Sequence, residues 1–101
     1  MQAAAINDRY RKSEVPVILA GDLNAVPGSE TLKILDKLWI QSSGSRGGPT
    51  YPSLDPDRKI DYILIRQQDH WNVVKTRIGG GNLAEKAKAS DHLPLLAELL
   101  Y

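Results

Sequence analysis

The chain has no cysteine. That excludes disulfides, thiolate metal sites and cysteine nucleophiles, and leaves the redox compartment open. It also lacks a dominant charge. A formal net charge of +1 over 101 residues gives no global field to draw in nucleic acid or an anionic membrane. An anionic substrate would have to be held by a local site or by a bound metal. No apolar run approaches the roughly 20 residues of a membrane span. Met1–Tyr10 does not show the basic-then-apolar order of a signal peptide. What remains is ordinary for a globular protein. Hydrophobic content of 42% and charged content of 25% suit one small domain and argue against disorder. A chain of this length buries a core with little margin.

Residue patterning gives the order of elements. Met1–Lys12 reads as a helix, with Ala3, Ile6 and Tyr10 on one face. Val15–Ala20 is a short branched apolar run, hence a buried strand, and Pro16 near its start is tolerable only at a strand end or an edge. Pro27-Gly28 breaks the chain, and Ser29 caps a helix expected over Glu30–Trp39, with Leu32, Leu35 and Trp39 as its buried stripe. Gln41–Pro56 reads as a long loop. Strands are expected at Lys59–Arg66, Trp71–Ile78 and Leu95–Tyr101, with Gly79–Ser90 as a glycine- and lysine-bearing connection. In the Lys59–Arg66 strand, Asp61, Ile63 and Ile65 share one face and Ile60, Tyr62 and Leu64 the other. The strands carry apolar residues on both faces, so both faces ask for cover. The helices can supply one.

Three segments place polar groups at the ends of apolar runs: Gly21-Asp22-Leu23-Asn24, Ile60-Asp61-Tyr62-Ile63 and Ser90-Asp91-His92-Leu93-Pro94. Asp22 ends a strand, Asp61 begins one, and Asp91-His92 precede another. If the strands of Asp22 and Asp61 run antiparallel, the end of one meets the start of the other. Asp22, Asn24, Asp61, Asp91 and His92 then line one rim of the sheet. Three carboxylates, a carboxamide and an imidazole are much of what hydrolysis of a phosphodiester needs. Carboxylates suit hard cations such as Mg2+ or Mn2+, and one histidine does not specify zinc. Taken singly, each segment has a plainer reading: a turn, a solvent-facing strand residue, a loop.

In their order, these segments resemble the endonuclease/exonuclease/phosphatase family of metal-dependent phosphohydrolases. Val15–Asn24 looks like the family's GDxN strand, Thr50-Tyr51-Pro52 with Lys59–Leu64 like its IDYI segment, and Ser90–Pro94 like its SDH motif. Lys59 stands where many members have arginine, which keeps the charge and loses the planar fork. The resemblance implies an α/β fold: residues 1–101 as the C-terminal half of a four-layer α/β/β/α sandwich, with one mainly antiparallel sheet and helices on one face. It implies that Asp22 orients or deprotonates the attacking water, and that Asn24 bonds the scissile phosphate or that water. Asp91 helps bind Mg2+ or Mn2+, His92 contacts the phosphate, and Asp61 orients His92. It implies a phosphoester substrate, whether nucleic acid, phospholipid or small molecule.

The family's principal metal-ligating Glu, an early-strand Asn and a Thr-His strand have no match here. They are expected upstream of Met1. The site is therefore expected to need a missing N-terminal half, or a second copy of the chain packed sheet on sheet. Arg46 and Arg58 are further candidates for substrate contact. Lys86, Lys88 and the Gly79–Asn82 segment read as solvated surface and connection, and Trp39 and Trp71 as packing residues.

Overall fold

The computed structural model describes residues 3–44, 48–79 and 90–101. The order of elements is α1 (Ala3–Tyr10), β1 (Ile18–Asp22), α2 (Glu30–Leu35), β2 (Trp39–Gln41), β3 (Asp61–Arg66), a 3-10 turn (Gln67–Asp69), β4 (Asn72–Ile78) and β5 (Leu95–Leu100). The α/β class with antiparallel pairing is as the sequence implies. The strands, however, divide between two sheets: three strands in the order β1-β3-β2, and two in the order β4-β5.

β3 is the centre of the larger sheet. It pairs antiparallel with β1 from Ile18↔Ile65 to Asp22↔Asp61, and with β2 from Trp39↔Arg66 to Gln41↔Leu64. β1 is not the buried strand expected but an edge strand in which Leu19 alone is partly buried, because among the described residues only β3 pairs with it. Pro16 lies just before it, so its missing N–H breaks no ladder. Alternation then sorts the faces. Tyr62 and Leu64 point to the helices and join Leu23, Leu32, Leu35, Leu38 and Trp39 in the core, with Leu19 packed beside them. Burying each such side chain contributes about 1.5–3 kcal/mol. On the opposite face Ile18, Ile65 and Ile40 form a row across the three strands. Ile18 and Ile40 are about half exposed, at 45% and 47%.

The second helix is shorter than expected. Ser29 does cap it, accepting from the Leu32 N–H at 3.4 Å, but α2 ends at Leu35. Trp39 is strand, not helix. Its indole N–H donates to Asn7 Oδ1 at 2.9 Å, and the Asn7 amide donates to the Ile34 carbonyl at 2.8 Å. A buried asparagine thus ties α1 to α2 and β2, and this tertiary pairing overrides the helical spacing of Leu32, Leu35 and Trp39. The expected loop Gln41–Pro56 begins inside β2, and its later part is held by an antiparallel bridge between Tyr51 and Arg58.

A closed ion pair fixes the far end of β3. The Arg66 guanidinium donates through Nε to both oxygens of Asp69 at 3.0 Å, through Nη2 again to Asp69 Oδ1, and to the carbonyls of Tyr10 at 2.6 Å and Val15 at 3.0 Å. Asp69 also accepts from the Val17 N–H at 2.8 Å. β4 and β5 pair antiparallel with an irregularity between Val73 and Lys75, and Trp71 packs edge-on against Tyr101. Among the described residues no helix is long and apolar enough to cross a membrane.

Candidate active site

The site forms at the near end of β3. The β1–β3 register sets Asp22 directly opposite Asp61. Gly21, with φ +143°, takes a backbone conformation that a side chain disfavours and turns the strand end outward. Leu23 then anchors the turn. Its N–H donates to the Ile60 carbonyl at 2.9 Å, and its side chain enters the core. Asn24 adopts a left-handed φ of 49°, and its backbone N–H donates to Asp22 Oδ1 at 2.7 Å. The plain reading of Gly-Asp-Leu-Asn as a turn is thus correct, and the turn serves the site: it occupies one carboxylate oxygen of Asp22 and leaves the other outward.

The third segment is braced by the Thr50–Ser53 turn. Leu93 N–H donates to the Thr50 carbonyl at 2.8 Å, and Ser53 N–H to the Asp91 carbonyl at 2.7 Å. The Ser53 hydroxyl donates to the Ser90 carbonyl at 2.7 Å, while the Ser90 hydroxyl accepts from His92 N–H at 3.1 Å. Buried Leu93 and Thr50 anchor both sides of this clasp. The imidazole of His92 is thereby set against the sheet rim.

His92 Nδ1 lies 2.8 Å from Asp61 Oδ2. With Asp61 accepting from Nδ1–H, Nε2 is turned toward two other carboxylates, Asp22 Oδ2 at 3.7 Å and Asp91 Oδ1 at 3.9 Å. The hydrogen bond to Asp61 raises the His92 pKa above its ordinary value. Partial burial opposes the rise, and the charges of Asp61, Asp91 and Asp22 add to it. The imidazolium is therefore favoured, a donor suited to a phosphate oxygen. The ligand atoms of Asp22, Asp61 and His92 lie within 4.8 Å of one another, close enough for one metal ion. The donor set is mostly carboxylate oxygen, which fits a hard divalent cation. Since Asp61 is occupied by His92, the exposed oxygens of Asp22 and Asp91 have the most capacity left for an ion.

Four of the five expected side chains are therefore brought together: Asp22, Asp61, Asp91 and His92. Asn24 joins through its backbone. Its carboxamide is exposed, with no hydrogen-bond partner among the described residues. Asp61 also lines a shallow cleft of about 330 Å³ with Gly21 and Leu93. A larger hollow of about 510 Å³, lined by Trp39, Ile40 and Lys59, contains none of the five. Sequence reasoning did not assign Tyr51 a place at the site, although its ring sits 4.8 Å from that of His92. The Thr-Tyr-Pro turn was the signal available. Arg46, Lys86, Lys88 and residues 80–82 lie outside the described residues.

The chain is similar to known proteins. A model of the Endonuclease/Exonuclease/phosphatase family matches residues 2–92. No curated protein sequence matches the chain. Among solved structures, a functionally unknown conserved protein from Enterococcus faecalis V583 is similar with a TM-score of 0.72 and 27% identity, covering 94% of this chain and 41% of that one. A mannosyl-6-phosphatase from Bacteroides thetaiotaomicron VPI-5482 shares the fold with a TM-score of 0.61 and 19% identity, covering 96% and 42%. The chain thus spans about two fifths of the length of either structure. With its three motifs gathered on one rim and the family match running from residue 2 to His92 in the third of them, the chain belongs to the endonuclease/exonuclease/phosphatase family.

Proposed function

We propose that this rim is one wall of the active site of a divalent-metal-dependent phosphoester hydrolase. The observation that carries the reading is the Asp61–His92 contact of 2.8 Å, which leaves Nε2 facing two carboxylates. Asp61 holds the ring and favours its charged form. His92 donates from Nε2 to a phosphate oxygen and meets the charge that develops there. Asp22, with one oxygen fixed by Asn24 N–H, orients the attacking water or takes its proton. The Asn24 carboxamide bonds the phosphate or that water. Asp91, together with Asp22, would hold Mg2+ or Mn2+, which when bound offsets phosphate charge and lowers the pKa of water.

The coverage of two fifths supports a second element of this reading: a working site takes further groups from outside this chain. Groups that act as a unit lose far more than a proportional share when one is absent. The half-exposed Ile18 and Ile40 favour an alternative, that the chain by itself is catalytically incompetent and self-associates through this sheet face.

The test is hydrolysis of bis(4-nitrophenyl) phosphate with Mg2+ or Mn2+, for this chain and for a longer polypeptide from the same gene. Weak or no turnover by the chain is expected, with turnover by the longer protein that chelator and Asp22→Ala abolish. Robust, chelator-sensitive hydrolysis by the chain alone would overturn the need for further groups. Turnover indifferent to both chelator and Asp22→Ala would overturn the metal site itself.

A further inference from the structure

We infer that Arg58, held on the ring of Tyr51, is the specificity residue of this site and selects phosphoesters that carry a second anionic group. The inference rests on the hydrolase reading above and adds a substrate class to it.

The backbone places the pair. Tyr51 and Arg58 face each other across an antiparallel bridge, with Arg58 N–H donating to the Tyr51 carbonyl at 3.0 Å and Tyr51 N–H to the Arg58 carbonyl at 3.1 Å. The Tyr51 ring meets the His92 ring at 4.8 Å and 49°, and the Arg58 guanidinium carbon lies 4.9 Å from the same ring. One aromatic ring therefore touches both the imidazole that would meet the scissile phosphate and the Arg58 guanidinium. Stacking on tyrosine suits a planar guanidinium and leaves its N–H edge free to bond outward.

The bonding of Arg58 shows that this edge has capacity. Its Nε donates to the exposed carboxylate of neighbouring Asp57 at 3.2 Å, and its two terminal nitrogens have no hydrogen bond among the described residues. Arg66, by contrast, is engaged at Nε and at both terminal nitrogens. The surroundings make the position matter. Asp22, Asp61 and Asp91 surround His92 with negative charge, so a second anion on the substrate is repelled unless a cation receives it. Lys59 is buried, bonds the Asp61 carbonyl at 3.3 Å and lies on Tyr62. Arg58 is the exposed cation that the ring contacts place at this wall. Its fork matches a carboxylate or a phosphate.

The experiment is an NMR titration of the chain in saturating Mg2+, read on the His92 and Tyr51 ring signals. The probes are glycerol 2-phosphate, with one phosphate, 2-phosphoglycerate, which adds a carboxylate, and glycerol 1,2-bisphosphate, which adds a phosphate. At least one doubly anionic probe is expected to bind about tenfold more tightly than glycerol 2-phosphate, the size of one charge-assisted hydrogen bond in water. The tighter of the two identifies the group that Arg58 reads. Arg58→Gln should remove the preference, bringing the doubly anionic probes to the affinity of glycerol 2-phosphate, and Tyr51→Leu, read on His92, should remove it as well. Tyr51→Phe, which keeps the ring, and Arg77→Gln on β4 should retain it. Equal binding of all three probes, or a preference that survives Arg58→Gln, would overturn the inference alone. No shift of His92 with any probe would overturn the hydrolase reading together with it.

Discussion

The two ends of β3 carry the same chemistry to opposite purposes. At each, an aspartate binds a cationic or protonatable side chain: Asp61 with His92, Asp69 with Arg66. At the Arg66 end the side chains are 2% and 5% exposed, and three donor nitrogens and two acceptor oxygens are all engaged. At the Asp61 end the ring and carboxylate are 27% and 17% exposed, and Nε2 faces carboxylates it does not bond. The first pair fastens β3 to the C-terminal end of α1 and the strand entry. The second is left with capacity. A charged pair becomes structural when its bonds are completed within the protein, and becomes a site when some are left for a ligand.

The largest effect should come from breaking the closed end. Asp69→Ala leaves the Arg66 guanidinium buried without its carboxylate, and a loss of about 3–5 kcal/mol is expected. Urea unfolding followed by tryptophan fluorescence measures it, and a loss below about 1 kcal/mol would show that the two ends are not different in kind. Burial alone would raise the Asp69 pKa, but the hydrogen bonds from Arg66 and Val17 and the Arg66 charge hold it below the usual value. Its contribution to stability is thus present above the unfolded carboxylate pKa of about 3.9 and is lost as pH falls through the lower folded value.

Next in size is the sheet face opposite the helices, where the half-exposed Ile18 and Ile40 flank Ile65. Self-association through this row, packed on a second sheet about 10 Å away, should give a dimer in analytical ultracentrifugation. Ile18→Asp with Ile40→Asp should shift it to monomer, at a cost of about 1.5–3 kcal/mol per buried isoleucine. A stable wild-type monomer at micromolar concentration would contradict it.

The smallest effect on stability belongs to the open end. Asp61→Asn should change global stability by less than about 1 kcal/mol, as partly exposed pairs do. It should nevertheless lower the His92 pKa toward its ordinary value of about 6.5, measured by NMR titration in chelator. Because the folded pKa is raised, the pair's stabilisation is full below the unfolded value and fades as pH rises through the folded one. Asp61→Asn should flatten that dependence. An unchanged His92 titration would refute the pairing.

The site was more legible in the sequence than the fold around it. Asp22, Asp61 and His92 could be placed because each ends or opens an apolar run, and antiparallel pairing then brings strand ends together. β2 was hidden: three residues, Trp39–Gln41, continue the helical spacing of Leu32 and Leu35, and only the bonds of Trp39 to Asn7 and of the strand to β3 decide otherwise. The burial of Asn7 and Arg66 was hidden too, because burial of a polar group depends on partners distant in sequence. The division into two sheets was equally hidden, since alternation within a strand names its faces and not its neighbours. Tyr51 escaped because a ring contact with His92 is made by two loops that the Thr50–Leu93 hydrogen bond joins.

The central claim is that the open end of β3 has ligand capacity and the closed end has none. Titrating the isotopically labelled chain with Mn2+ tests it directly, because a bound paramagnetic ion broadens nearby resonances. The account predicts selective broadening of Asp22, Asp61, Asp91 and His92 with Arg66 and Asp69 untouched, removed by Asp22→Ala with Asp91→Ala and competed by Mg2+. Broadening spread over the acidic surface without regard to this rim, or none at all, would contradict it.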